Sequence, residues 1–283
     1  MIFLSLFWLN KNLAVIEQKD IGISLALAVL LSLLTPGSTY AAIGDVVSSF
    51  TAPADNPVGL TWADGYLWLI DHGHDEPAEL LKINPIDGSH LLTLTLPISH
   101  VMGLTWSGSS FWAVSHHDSV IYEVNPSDGS IVSSFHSPNP YEVETGCEGL
   151  AWDGTYLWYA DSDLDTIFQL DPLDGSILKS FATPASGPQG LAWNGVCLWH
   201  FDDSTNLVYK LDSLNGSVLV SFDAPDYGEG DLAWDGAYLW ISRNRYHRAG
   251  EPWNCEIYKI VPEPTTFLLL DLGSMALLRR HRA

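Results

Sequence analysis

The sequence predicts an all-β fold built from five copies of one four-stranded unit, and three observations carry that prediction. A motif Gly/Asp-Leu-x-Trp begins at residues 59, 103, 149, 190 and 231, at spacings of 44, 46, 41 and 41 residues. Ten of the twelve tryptophans fall in register with it, one in each first run (Trp62, Trp106, Trp152, Trp193, Trp234) and one in each second run (Trp68, Trp112, Trp158, Trp199, Trp240). The first four motifs each lead into three further short runs of aromatic and β-branched residues bounded by turn residues, and the fifth into two. Repetition at about 40–45 residues with four strands per unit marks a β-propeller, here of five antiparallel blades.

The copy from Gly149 to Phe181 displays the unit most plainly. Its runs are GLAW, YLWYAD, TIFQLD and SILKSF. Asp153-Gly154 joins the first two, and Pro172-Leu173-Asp174-Gly175 joins the last two. Glycine accepts the positive φ of a tight hairpin, so both joints are short antiparallel turns and the unit is a meander. The large aromatics are expected to fill the wedges between blades.

The ends of the repeat predict how the ring closes. Units beginning at 59, 103, 149 and 190 each have a fourth strand, whereas the fifth stops after EIYKIVP. A matching strand, DVVSSFTAP (45–53), stands at the front of the repeat and nearly duplicates SIVSSFHSP. An N-terminal strand that completes the last blade closes the ring without the capping repeats an open array would need. The propeller is therefore assigned to residues 42–261.

Outside it lie two segments of different character. In 1–41, Lys19 precedes the apolar run IGISLALAVLLSLL (21–34) and then TPGSTYAA, the layout of a signal peptide cut after Ala41. The stretch 1–18 reads as an extension ahead of that leader. At the other end, 262–283 carries Pro262, Glu263 and Pro264, then an apolar run, then Arg279, Arg280 and Arg282. An apolar segment closed by an arginine cluster is a stop-transfer pattern, so a transmembrane helix and transient membrane contact are expected there. The run is short for a span and is interrupted by Asp271.

Charge narrows the partners. The chain carries −22 formally, and residues 42–262 hold 7 of the 12 basic and 30 of the 34 acidic residues, a net −23. Such a surface repels phosphate backbones and argues against nucleic acid. Three cysteines, Cys147, Cys197 and Cys255, form no metal-ligand spacing and no disulfide framework, with Cys147 and Cys197 expected near opposite faces.

A meander ring has two faces. The one–two and three–four turns share one and scarcely vary between copies. The two–three connections and the blade-to-blade entries share the other, and variable loops on a rigid scaffold commonly hold function. This loop-rich rim carries Asp71, His72, His74, His116, His117, Asp118, Asp161, Asp163, Asp165, Asp202, Asp203 and Arg243, with Asn56, His100, Glu148, Gln189 and Glu229 at the entries. Carboxylates suit calcium and imidazoles suit a transition metal. Asp161, Asp163 and Asp165 are the calcium candidates, although they lack the glycine and terminal glutamate of an EF-hand loop. Glu148, His116 and Asp161 are the candidate acid–base set. No G-x-S-x-G, H-E-x-x-H or glycine-rich phosphate loop occurs.

On its motif, order and terminal position, the tail resembles the PEP-CTERM protein-sorting domain. That resemblance implies processing near Pro262-Glu263-Pro264 by an exosortase and export to the surface or exopolysaccharide matrix of a Gram-negative bacterium. The repeat is similar to the NHL, SMP-30 and glutamine-cyclotransferase group of propellers, with Glu148-Gly149-Leu150 matching the E-G-L entry strand common there. The sequence thus reads as a secreted or surface-sorted propeller that binds an envelope protein or polysaccharide through its loop-rich face. The alternative is an extracytoplasmic enzyme, of metal-dependent lactonase or lyase type or of glutaminyl-cyclotransferase type, that uses the rim acids.

Overall fold

The computed structural model describes residues 41–54, 56–72, 76–138, 146–244 and 255–263. The expected leader, His74, and the tail from Pro264 through Arg279, Arg280 and Arg282 lie outside these residues. Among the described residues there is no helix long and apolar enough to cross a membrane.

Twenty strands form five sheets of four. They begin with β1 (Val46–Thr51), which is set aside by the chain until its end. Blade one is β2 (Pro57–Ala63), β3 (Tyr66–Asp71), β4 (Glu79–Ile83) and β5 (His90–Thr95). Blade two is β6 (Val101–Trp106), β7 (Phe111–Ser115), β8 (Val120–Val124) and β9 (Ile131–His136). Blade three is β10 (Cys147–Trp152), β11 (Leu157–Asp161), β12 (Thr166–Leu170) and β13 (Ile177–Ala182). Blade four is β14 (Pro188–Trp193), β15 (Leu198–Asp202), β16 (Leu207–Leu211) and β17 (Val218–Asp223). Blade five is β18 (Leu232–Trp234), β19 (Leu239–Asn244) and β20 (Cys255–Ile260), and β1 pairs antiparallel with β20 as its outer strand. The expected five-bladed propeller and its closure by the N-terminal strand are therefore both observed.

The repeated residues explain why the sheets pack as a ring. The five second-strand tryptophans are all buried, and Trp158, Trp199 and Trp240 are at most 1% exposed. Burying an indole of this size contributes on the order of 4–6 kcal/mol of gross transfer free energy. Each apolar cluster spans a blade boundary, as where Trp112 and Val114 of blade two meet Leu150, Leu157 and Tyr159 of blade three. Lys82, Lys179, Lys210 and Lys259 lie over Trp68, Trp158, Trp199 and Trp240, so most of the propeller's few cations are committed to these indoles. The three–four turns carry a second repeated contact. A Cβ on Gly175 would stand 2.4 Å from the Phe135 ring of the preceding blade, and one on Gly216 2.3 Å from Phe181. The recurrent Ser-Phe of the fourth strands thus seats against the glycine of the next turn.

At the axis the inner strands crowd together. A Cβ on Gly103 would meet the Glu148 carbonyl oxygen at 2.1 Å, and one on Gly149 would meet that of Gln189 at 2.1 Å. No side chain fits there, which is why four of the five first-strand motifs begin with glycine. The fifth begins with Asp231.

Candidate functional site

Asp231 fills the axis. It is 3% exposed, and its carboxylate accepts the backbone N–H groups of Leu60 (2.9 Å), Leu191 (3.2 Å) and Leu232 (2.8 Å), with that of Leu104 as a fourth donor. These leucines belong to the first strands of blades one, four, five and two, so a single carboxylate ties four blades at their inner edges. Burial pushes its pKa well above the usual carboxylate range, while the converging N–H groups pull the other way.

Above Asp231, toward the loop-rich face, lies a cavity of about 20 Å³, enough for one water. Val58, Met102, Glu148, Gln189, Glu229 and Asp231 line it. The side chains reach the axis through a shared irregularity. In four of the five blades the pairing of the first strand with the second slips at its entry, between Pro57 and Leu60, Val101 and Gly103, Cys147 and Leu150, and Pro188 and Leu191. A β-bulge at that point re-aims the residue just before the glycine. The channel ring is therefore Val58, Met102, Glu148, Gln189 and, in the fifth blade, Gly230. Asn56 and His100, which stand two residues earlier, fall on the outer rim: Asn56 bonds the side chains of His72 and Asn244, and the His100 ring packs 5.3 Å from His72 and 5.2 Å from His117.

Glu148 is the chemically distinctive member. Burial, reinforced by the negative charge of Glu229 and then by Asp161 and Asp163, pushes its pKa up to about 8, against a smaller downward pull from the Ser162 hydroxyl. Ser162 Oγ donates to Glu148 Oε1 at 3.2 Å. Gln189 Oε1 accepts the Gly230 N–H at 2.9 Å, which leaves its NH2 group to donate. At neutral pH the cavity thus offers a carboxylic acid O–H and an amide NH2 as donors, with Glu229 as an acceptor beside them.

The other candidates have local duties. Asp161 is buried; its Oδ1 accepts the N–H groups of Asp163 and Leu164, and its Oδ2 accepts the Tyr159 hydroxyl at 2.9 Å. Asp163 Oδ2 accepts the Gly146 N–H, and Asp165 occupies a left-handed turn position at φ 47°. Among the described residues no group of three or more His, Cys, Asp or Glu side chains is placed to hold a metal ion. His116 does not line the axial cavity; its backbone N–H donates to the His100 carbonyl. Asp71 Oδ1 accepts the Asn56 N–H, Asp118 Oδ1 that of Val120, and Asp202 Oδ1 the Thr205 N–H and hydroxyl. Arg243 is fully buried, stacks on Phe201, and donates to Asn206 Oδ1 and the Asp226 carbonyl; burial lowers its pKa to about 10, with Asp203 opposing. Cys197 and Cys255 are free thiols. Of the tail motif, Pro262 is buried and Glu263 pairs with Lys210.

No protein-family model matches the sequence, and no curated protein matches it. Among solved structures, the chain is similar to a glutaminyl cyclase from Myxococcus xanthus, with a TM-score of 0.61 and 13% identity over 78% of this chain and 96% of that one. It is also similar to an aldose sugar dehydrogenase from Streptomyces coelicolor in its PQQ-bound form, with a TM-score of 0.47, 13% identity and coverage of 76% and 97%. At these identities the likeness is one of fold.

Proposed function

We propose that this is an exported binding propeller that grips a small neutral polar group, an amide or a hydroxyl, of an envelope protein or matrix polysaccharide at the axial cavity of its loop-rich face. One observation carries the reading: Glu148, with a pKa of about 8, stands beside Gln189 and Glu229 in a cavity no larger than a water. A cavity of that size recognises one functional group and does not enclose a substrate. Retention on an N-acetylated polysaccharide column tests it. Retention should fall as pH rises through about 8, and Glu148→Gln should keep it at high pH. Retention by the wild type that ignores pH, or that is lost in Glu148→Gln, would rule the reading out. Export, and processing of the tail at Pro262-Glu263-Pro264, belong to the same proposal. Fractionation of a Pro262→Ala/Pro264→Ala chain tests them, and unchanged processing would refute the sorting role.

A second reading has its own support. A carboxyl poised near the working pH suits general acid–base catalysis, and the ring is built like that of a glutaminyl cyclase. On that reading the protein is a cyclotransferase, with Glu148 moving the proton. Incubation with glutamine-initiated peptides separates the two, since only the enzyme releases ammonia and only its activity disappears in Glu148→Gln.

A further inference from the structure

The axis holds a second space, at the face opposite the rim. It measures about 160 Å³, and the five first-strand tryptophans wall it, with Thr61 and Thr105 on the side of blades one and two and Ala192 and Ala233 on the side of blades four and five. The leucines whose N–H groups hold Asp231, among them Leu104, Leu191 and Leu232, form part of its wall, so the two spaces flank the Asp231 carboxylate.

The first-strand and second-strand tryptophans are not equivalent. Those of the second strands are buried, and four of them have a lysine over the ring, whereas all five of the first strands keep partial exposure. Trp62 stacks on Trp240, and Trp193 on Trp158, across blade boundaries, which fixes the indoles in place. Packing between blades accounts for one side of each such ring. It does not account for an open chamber between all five.

The chamber's chemistry selects its occupant. Every residue lining it is neutral, in a chain of net charge −22. An ionic guest would find no counter-charge. A neutral ring with apolar C–H faces and peripheral hydroxyls would find aromatic walls for the faces. The Thr61 and Thr105 hydroxyls would meet its polar rim. A space of about 150 Å³ admits one six-membered ring, and this one is of that size. We infer that the turn-face chamber is a binding site for a single neutral pyranose, free or at the end of a glycan, separate from the rim cavity.

Titration of the whole protein with methyl glucoside, methyl galactoside, methyl mannoside and N-acetylglucosamine, followed by tryptophan fluorescence, tests this. At least one should give a saturable change at millimolar concentration. Thr61→Val/Thr105→Val preserves side-chain volume and should weaken that response about tenfold, the effect of losing two neutral hydrogen bonds. Unchanged thermal unfolding of the double variant would show that the fold is intact. No saturable response to any of the four sugars, a response preferring tetramethylammonium over them, or undiminished binding by a folded double variant would overturn the assignment.

Discussion

Replacing Glu148 by Gln should stabilise the protein, and by an amount that grows with pH. The folded carboxyl holds its proton to about pH 8, against an ordinary value of 4.5. Above pH 4.5 the unfolded chain has released that proton and the folded chain has not. The contribution of Glu148 to stability therefore falls as pH rises from 4.5 to about 8, and levels off beyond. Each unit of difference corresponds to about 1.4 kcal/mol. Allowing for the partial exposure of the carboxyl at the cavity, the loss is on the order of 2–4 kcal/mol between pH 5 and pH 8. Glutamine keeps the acceptor that Ser162 Oγ uses and removes the titration. Urea unfolding followed by tryptophan fluorescence, run on both proteins at pH 5 and pH 8, gives the difference. The two should be nearly equal at pH 5 and diverge at pH 8. Parallel pH dependence would show that Glu148 titrates as an ordinary surface carboxyl, and the assignment of the cavity would fall with it.

Other consequences are equally direct. Gly149→Ala should cost upwards of about 2 kcal/mol or prevent folding, because the new Cβ would stand 2.1 Å from the Gln189 carbonyl oxygen; a chain of undiminished melting temperature would contradict the close approach of the inner strands. Asp231→Ala removes the acceptor of converging backbone N–H groups and should cost roughly 2–4 kcal/mol in chemical denaturation, whereas a neutral effect would deny the carboxylate its tying role. His200 is fully buried, and burial lowers its pKa to about 4 with Asp202 opposing, so its own contribution to stability should be lost as pH falls from 6.5 toward 4, against the opposite trend from Glu148. His200→Leu should flatten that acid limb, and an unchanged limb would place the sensitivity elsewhere.

The sequence made the ring legible for a physical reason. Tryptophan, Asp-Gly and Ser-Phe recur because every blade boundary needs the same indole in its wedge and every turn the same glycine. Closure was readable because β1 had to resemble the fourth strands it replaces. The rim was less legible. Its bulges bring Val58, Met102, Glu148 and Gln189 to the axis and leave Asn56 and His100 outside, a shift that no residue type announces. The signal for Asp231 was present, as the one break in a column of glycines, but its meaning depends on how closely the inner strands approach. Asp161 and Asp163 read in the sequence as ligands for an ion; the structure adds that Asp161 accepts the Asp163 and Leu164 N–H groups and the Tyr159 hydroxyl, and that Asp163 Oδ2 accepts the Gly146 N–H, contacts that spacing alone does not reveal.

Glu148 is, at the centre of the site, a proton-holding group in a water-sized polar cavity. Carbon-detected NMR of the side-chain carboxyls across a pH series reads that property at the residue itself, with Glu148→Gln assigning the resonance. A midpoint near 8 is expected, matching the pH at which retention is lost. A midpoint near the ordinary 4.5 would contradict it.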